Sequence, residues 1–99
     1  MTCSSYTDFF SNFANQTKLD IILLLISGPL SVNVISEKTN QEQSTVSHNL
    51  RKLCDCNILD VENKGRERIY SVNKDSVLPM LKLVGNHVSK YCKGGCCKK

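Results

Sequence analysis

The sequence predicts a small, mainly α-helical domain with five helices and one two-stranded β-hairpin. Apolar residues recur at intervals of three and four residues through most of the chain, and Gly-Pro and Asn positions interrupt this pattern. Two short strand-like runs flank a glycine turn. With 99 residues the chain is predicted to form one domain, residues 1–91, followed by a Cys- and Lys-rich tail, residues 92–99. Because so short a chain buries a limited core, dimerisation is an expected supplement.

The first three helices are predicted from apolar spacing and from residues that stop helices. An aromatic-rich first helix is expected over residues 6–15, and a second helix carries Leu19 to Ile26 before Gly28-Pro29 ends it. Leu30-Ser31 is then expected to open a short third helix. Residues 40–43 form the turn that leads into the fourth helix, so the third and fourth helices make a helix-turn-helix.

The fourth helix is the most informative segment, because its polar faces suit DNA. Val46, Leu50 and Leu53 recur at helical spacing and are expected to bury one face. The other faces carry hydroxyls, an imidazole and two cations, with no carboxylate before Asp55. A solvated amphipathic helix would normally mix acids with bases, whereas these groups bond base edges and phosphates. The sequence therefore predicts a recognition helix. Its polar residues include Ser44, Thr45, Ser47, His48, Arg51 and Lys52.

A β-hairpin is predicted after this helix, with strands at residues 58–61 and 68–72 and a turn centred on Gly65. Asn57 precedes it, where a left-handed residue would close the helix. A hairpin at this position is the wing of a winged helix-turn-helix. Lys64, Arg66 and Arg68 at its tip are predicted to lie along a phosphate backbone, the alternative being a solvated hairpin tip.

The last helix is predicted over residues 76–91, with Pro79 tolerated in its first turn. Its apolar stripe and the aromatic residues of the first helix exceed what the small core needs. They are therefore predicted to form the surface that meets a second copy of the chain. These residues are Phe9, Phe10, Phe13, Val77, Leu81, Val84 and Val88.

Composition and motifs indicate the cellular compartment of the protein and argue against an enzyme. No signal peptide is visible, and the apolar run at residues 21–26 is too short to span a bilayer. Six cysteines without a signal peptide indicate a reducing compartment, so we expect a cytoplasmic protein. The net charge is +4, and residues 82–99 carry lysines and no acid, which suits a polyanion partner or a solubilising end. An enzyme is not expected, because the sequence lacks a Cys-x-x-Cys at a helix start, an acid pair in a plausible cleft and a Gly-rich phosphate loop.

Residues 9–72 resemble the ArsR/SmtB family of winged-helix, metal-responsive repressors. The similar segments are residues 13–21, 28–32, 43–50 and 66–72, in family order and with family-like spacing. The resemblance implies a homodimer joined through its first and last helices, which binds an imperfect palindrome in double-stranded DNA and leaves it when an inducer binds. It implies that the DNA-contacting residues of the recognition helix are Gln43, Ser44, Thr45, Ser47, His48 and Arg51.

Two sensor sites of that family lack counterparts in this chain. The arsenic-sensing branch has two cysteines in the first helix of the helix-turn-helix, where this chain has Ser31 and Asn33. The zinc and nickel/cobalt branches use an Asp-x-His pair and a later His pair, where this chain has Asp75, Val77 and a lone His87. A lone histidine on such a helix is more often a surface residue.

The remaining candidate sensor is rich in thiols and resembles that of the cadmium/lead-sensing branch. Cys56 matches one helix position of that branch, while Lys52 occupies the other and Cys54 is a displaced substitute. Thiolates favour soft or borderline ions, so Cd(II), Pb(II), As(III) or Zn(II) is the expected inducer. Nearby cations, Lys52, Lys90 and Lys93, are expected to favour the thiolate form. The candidate ligands are Cys54, Cys56, Cys92, Cys96 and Cys97.

Other interpretations of the same residues stay open at this point. Cys54 and Cys56 can be packed structural residues. Vicinal Cys96-Cys97, or Cys54 with a tail cysteine, can oxidise to a disulfide or take up a persulfide with the same effect on DNA. A third reading is a winged helix that binds only protein partners, which the acid-free recognition helix and the basic wing tip disfavour.

Overall fold

The computed structural model describes residues 5–91. These residues form five helices and a three-stranded antiparallel sheet with the strand order β1-β3-β2. In chain order the elements are α1 (Tyr6–Ser11), α2 (Gln16–Leu25), β1 (Leu30–Ser31), α3 (Val32–Thr39), α4 (Gln43–Asp55), β2 (Leu59–Lys64), β3 (Glu67–Val72) and α5 (Val77–Tyr91). The predicted winged helix-turn-helix is therefore confirmed.

The first helix is shorter than predicted, because a side chain ends it. Asn12 is only 4% exposed, and its Nδ2 donates to the carbonyl oxygens of Asp8 and Phe9, at 3.1 and 3.2 Å. Such a local bond offers the backbone an alternative to further helical turns. The chain then turns, and Asn15 caps α2 by accepting a hydrogen bond from the Lys18 amide at 3.0 Å.

Leu30 and Ser31 were expected to open a helix and instead form a strand. Leu30 pairs with Tyr70, and Ser31 pairs with Ile69, so the predicted two-stranded wing becomes a three-stranded sheet. The pairing satisfies backbone groups along the edge of β3 that would otherwise face solvent. Ser31 then caps α3, since its Oγ accepts from the Val34 amide at 3.4 Å.

Two asparagines in the left-handed region set the angles between the elements. Asn40, at φ 57° and ψ 39°, ends α3 and creates the turn before α4. Asn57, at φ 59°, ends α4 as predicted. There the amides of Ile58 and Asn57 donate to the carbonyl oxygens of Leu53 and Cys54, at 3.0 and 2.9 Å, which is a Schellman closure.

The core lies between α2, α3, α4 and the sheet. Val46, Leu50 and Leu53 are fully buried, which confirms the predicted inner face of α4. Val77 is 2% exposed and belongs to this core, so its assignment to the dimer surface was wrong. Leu78 and Leu81 of α5 also pack against this core, whereas residues 82–91 are exposed. None of the helices within residues 5–91 has the length and apolar character needed to cross a membrane.

Candidate nucleic-acid interface and cysteine sites

The outer face of α4 presents the predicted polar residues to solvent. Because three buried aliphatic residues fix the rotation of this helix, the opposite side must face outwards. The first carboxylate within α4 is Asp55, its last residue, and the exposed Glu42 precedes the helix at its N-cap. All six residues of the predicted recognition set are exposed: Gln43, Ser44, Thr45, Ser47, His48 and Arg51.

The start of α4 is tied to α3 by a side-chain hydrogen bond. Gln43 Nε2 donates to Asn33 Oδ1, so the first turns of α3 and α4 contact each other through these side chains. Sequence reasoning missed Asn33, because no spacing pattern marks a polar residue in the first turn of α3.

The wing is a regular hairpin, and its register places Lys64 and Arg68 on different faces. Lys64 pairs with Glu67 across a two-residue loop, and Gly65 takes a φ of 63°, the positive value that a tight hairpin turn needs at its first loop residue. Asn63 pairs with Arg68 in the next register position. Directly opposed residues share a face and neighbours alternate, so Arg68 lies on one face of the wing and Lys64 on the other.

An open hollow of about 290 Å³ lies between the wing and the helix-turn-helix. We call it the wing-root hollow. Two arginines of the wing approach it from one side, and the start of α3 and one hydroxyl of α4 approach it from the other. Its lining residues are Ser31, Val32, Asn33, Ser47, Arg66, Glu67 and Arg68.

Cys54 is a half-buried free thiol on the wing side of α4. Burial, together with the nearby carboxylates of Asp60 and Asp55, raises the pKa of this thiol to about 11, while Arg68 acts in the opposite direction. The expectation that nearby lysines favour the thiolate is therefore wrong for Cys54. At neutral pH this thiol is protonated.

Cys56 has different surroundings, on the side of α4 that faces α1. Asn12 Nδ2 lies 3.6 Å from Cys56 Sγ, and Lys18 Nζ donates to Asn12 Oδ1 at 3.3 Å. Cys56 is disulfide-bonded, whereas Cys54 is free. Sequence reasoning missed Asn12, although a polar residue between Phe9 and Phe13 on an apolar helix face was a usable signal.

The structure therefore separates the two predicted helix ligands. Residues two apart differ by about 200° in direction around a helix, which agrees with one sulfur facing the wing and the other facing α1. Across residues 5–91, no three His, Cys, Asp or Glu side chains come together in a way that could hold a metal ion. The other predicted ligands, Cys92, Cys96 and Cys97, lie outside the described residues.

The predicted dimer surface is partly exposed in the single chain. Phe10 is 52% exposed, and Val84 and Val88 are each 48% exposed. Phe9, Phe13 and Leu81 are half-buried against the core. Further exposed side chains on the same two helices were not predicted: Tyr6, Leu83 and Tyr91. His87 is exposed and lies beside Tyr91, with 5.0 Å between the ring centroids and the rings tilted by 43°.

Comparisons with known proteins agree with this architecture. Residues 15–61 match the family model described as bacterial regulatory protein, arsR family. The chain is 35% identical over 68 residues to the HTH-type transcriptional regulator NmtR of Mycobacterium tuberculosis, a match that covers 69% of this chain and 57% of NmtR. The chain thus spans little more than half the length of that curated relative.

Two solved structures extend the similarity to most of the fold. The solution structure of apo-NmtR superposes with a TM-score of 0.75 at 30% identity, covering 89% of this chain and 74% of that one. The homodimeric winged helix-turn-helix DNA-binding domain of Mb0332 from Mycobacterium bovis, a possible ArsR-family transcriptional regulator, superposes with a TM-score of 0.79 at 22% identity, covering 94% of each chain. The chain therefore belongs to the ArsR family of bacterial regulatory proteins.

Proposed function

We propose that this protein is a homodimeric transcriptional repressor that binds double-stranded DNA through α4 and the wing. The observation that carries the proposal is the exposed outer face of α4, which offers hydroxyls, an imidazole and cations with no acid before its last residue. Such groups read base edges in the major groove, where an α-helix fits. The wing supplies Lys64, Arg66 and Arg68 to the flanking backbone.

Salt-dependent DNA binding tests this proposal. The probe is a labelled duplex containing an imperfect palindrome from upstream of the protein's own gene, followed by fluorescence anisotropy over a range of salt concentrations. Arg51→Ala should weaken specific binding by about 1–3 kcal/mol if Arg51 reads a base. Lys82→Ala is the matched control, since Lys82 is an exposed cation on α5 and outside both proposed DNA-binding elements. Equal effects of the two substitutions would contradict the assignment of α4.

An inducer acting at cysteine sulfur is the proposed control of DNA binding, and Cys56 is its central residue. Cys56 contacts Asn12, whose amide also bonds the last carbonyl groups of α1. Chemistry that moves this sulfur therefore disturbs both the end of the recognition helix and the end of α1, which belongs to the proposed dimer surface. A coupling of about 1–3 kcal/mol between the two sites, or roughly 5–150-fold in affinity, is enough to release an operator.

The first candidate inducer is a soft metal ion or As(III) held by Cys56 and the tail thiols Cys92, Cys96 and Cys97. The density of thiols supports it, since three or four thiolates suit Cd(II), Pb(II), Zn(II) or As(III). The residues of the described range do not complete such a site alone. Cys54, a protonated thiol on the opposite side of α4, fits packing better than ligation.

The second candidate is thiol oxidation, and the disulfide-bonded state of Cys56 favours it. In exchange with a disulfide oxidant such as oxidised glutathione, two protein thiols form one S–S bond. They lose two electrons and two protons, and the oxidant is reduced to two thiols. The repressor would then bind DNA in one redox state and leave it in the other.

One titration separates the two candidates. Fully reduced protein bound to the labelled duplex is titrated with Cd(II), Pb(II), Zn(II) or As(III), while thiolate-to-metal absorption and anisotropy are recorded on the same samples. A parallel sample receives oxidised glutathione. Stoichiometric ion binding that releases DNA supports the metal candidate, and release by the oxidant alone supports the redox candidate. Cys56→Ser should abolish whichever response occurs, whereas Cys54→Ser should preserve it.

A further inference from the structure

The wing-root hollow lies where the two proposed DNA-binding elements meet. Ser47 belongs to the outer part of α4, and Arg66 and Arg68 belong to the wing, so a ligand in the hollow contacts both elements. The hollow is open to solvent, and all three of these residues are exposed. A ligand bound there would fix the position of the wing relative to the recognition helix.

The lining has the chemistry of an anion site. Arg66 and Arg68 present guanidinium groups, whose fixed donors match phosphate oxygens. Asn33 Oδ1 is occupied by the hydrogen bond from Gln43, which leaves the Asn33 Nδ2 group to donate elsewhere. The Ser47 hydroxyl supplies a further donor.

Charges around the hollow favour a negative ligand despite one acid in the lining. Glu67 is that acid, and it pairs directly with Lys64 in the hairpin register, so an opposite charge shares its face of the wing. Arg68 lies on the other face, the one that also carries Tyr70 and Val72. Arg68 is therefore directed to the side of the wing that packs on the domain.

The volume admits a ligand larger than a bare ion. About 290 Å³ corresponds to roughly ten water molecules at ~30 Å³ each. This space exceeds what one free tetrahedral anion fills, and it accommodates a phosphodiester with parts of its flanking sugars. A groove that is open at the surface also lets a continuous strand enter and leave.

We propose that the wing-root hollow binds a single backbone phosphodiester of double-stranded DNA, with Arg66 and Arg68 as its charge partners and Asn33 and Ser47 as hydrogen-bond donors. The inference rests on the proposed DNA-binding function and deepens it. It assigns a DNA contact to Asn33, and it gives Arg68 a role that Lys64, which does not line the hollow, does not share. One phosphate in each half-site is held by the wing and the helix-turn-helix together.

The test is a double-mutant cycle between protein and DNA. A series of duplexes carries one uncharged methylphosphonate at successive backbone positions, and each is titrated with wild-type protein, Arg68→Ala, Asn33→Ala and Lys64→Ala by anisotropy. At one position per half-site, neutralising the phosphate and Arg68→Ala should each weaken binding roughly tenfold or more, the size expected for a charged hydrogen bond. Combined, they should weaken it no further than either does alone. Asn33→Ala should couple to the same position, and Lys64→Ala should act additively with it.

The outcomes separate this inference from the proposed function. Arg68 is exposed, so Arg68→Ala should fold normally, and Arg68→Gln gives a second variant if it does not. If wild-type protein binds DNA but every protein substitution acts additively with every methylphosphonate, the inference is wrong and the proposed function is unaffected. Saturable amide shifts at Asn33 and Ser47 with inorganic phosphate, together with an additive cycle, would mean a small-anion pocket and would also overturn it. Wild-type protein that binds no DNA overturns the proposed function as well.

Discussion

At the scale of single residues, the two cysteines at the end of α4 show how a helix separates neighbours in sequence. Cys54 is a free, half-buried thiol beside carboxylates, and Cys56 is disulfide-bonded beside a buried asparagine. The difference follows from their directions around the helix axis, which put them against different elements. Chemical reactivity should therefore differ between them.

Alkylation of Cys54 tests its surroundings. With the pKa of this thiol at about 11, its thiolate fraction at pH 8 is about 100-fold lower than at an ordinary value of 9.0. Labelling of the folded protein by iodoacetamide, measured by peptide mass spectrometry, should be correspondingly slow. The logarithm of the rate should keep rising with pH up to about pH 11. A rate that is slow but levels off near pH 9 would mean steric shielding and a normal pKa.

The same pKa shift has a consequence for stability. Because the pKa of Cys54 is higher in the folded state than the unfolded value of 9.0, its contribution to stability is fully present below pH 9. That contribution is lost as the pH rises from 9 towards 11. Urea unfolding of wild-type protein and Cys54→Ser across this range isolates it, since the other titrating groups are common to both proteins. Parallel pH profiles of the two proteins would contradict the shift.

At the scale of elements, the sequence predicted a helix or strand correctly where its position and ends depend on residues close by in the chain. Helix α4 was predicted well because one strong apolar face sets its rotation and Asn57 closes it. Strand β1 was missed because its two residues are extended only through pairing with Tyr70 and Ile69, which are distant in sequence. The end of α1 was missed because it depends on a side-chain bond of Asn12. Exposure of the recognition residues was predictable, whereas the wing-root hollow was not, since tertiary packing forms it.

The turn between α3 and α4 offers a prediction at this scale. Asn40 occupies the left-handed region at φ 57°, where a Cβ without a local polar group is costly. Asn40→Ala should lower the free energy of unfolding by about 1 kcal/mol, whereas Asn40→Gly should change it by a few tenths at most. Urea denaturation measures both.

The control for that turn is an asparagine in an ordinary conformation. Asn86 is exposed within α5, so Asn86→Ala should be neutral or slightly stabilising through helix propensity. If Asn40→Ala were as harmless as Asn86→Ala, the turn would not depend on the left-handed residue.

At the scale of the whole molecule, α5 has two roles that divide along its length. Its first residue, Val77, is buried in the core, whereas Val84 and Val88 are each 48% exposed. Phe10 on α1 is similarly exposed at 52%. The core of a 99-residue chain is small and does not bury the remaining apolar side chains of these two helices. A second copy of the chain would bury them in a dimer interface. The resulting dimer would present two α4 helices to the two halves of a palindrome.

Charge placed on the exposed part of α5 tests the dimer and its link to DNA binding. Val88→Asp should give a folded monomer in sedimentation velocity, because an unpaired carboxylate in an apolar interface is strongly destabilising and Val88 contributes little to the core of one protomer. The monomer should also bind the palindrome far more weakly, since two linked half-site contacts become one. Val61→Asp is the matched control: Val61 is 45% exposed on β2, outside the proposed interface, so this variant should remain a dimer. A dimeric Val88→Asp would move the interface elsewhere, and a monomer with undiminished affinity would break the link between dimerisation and DNA binding.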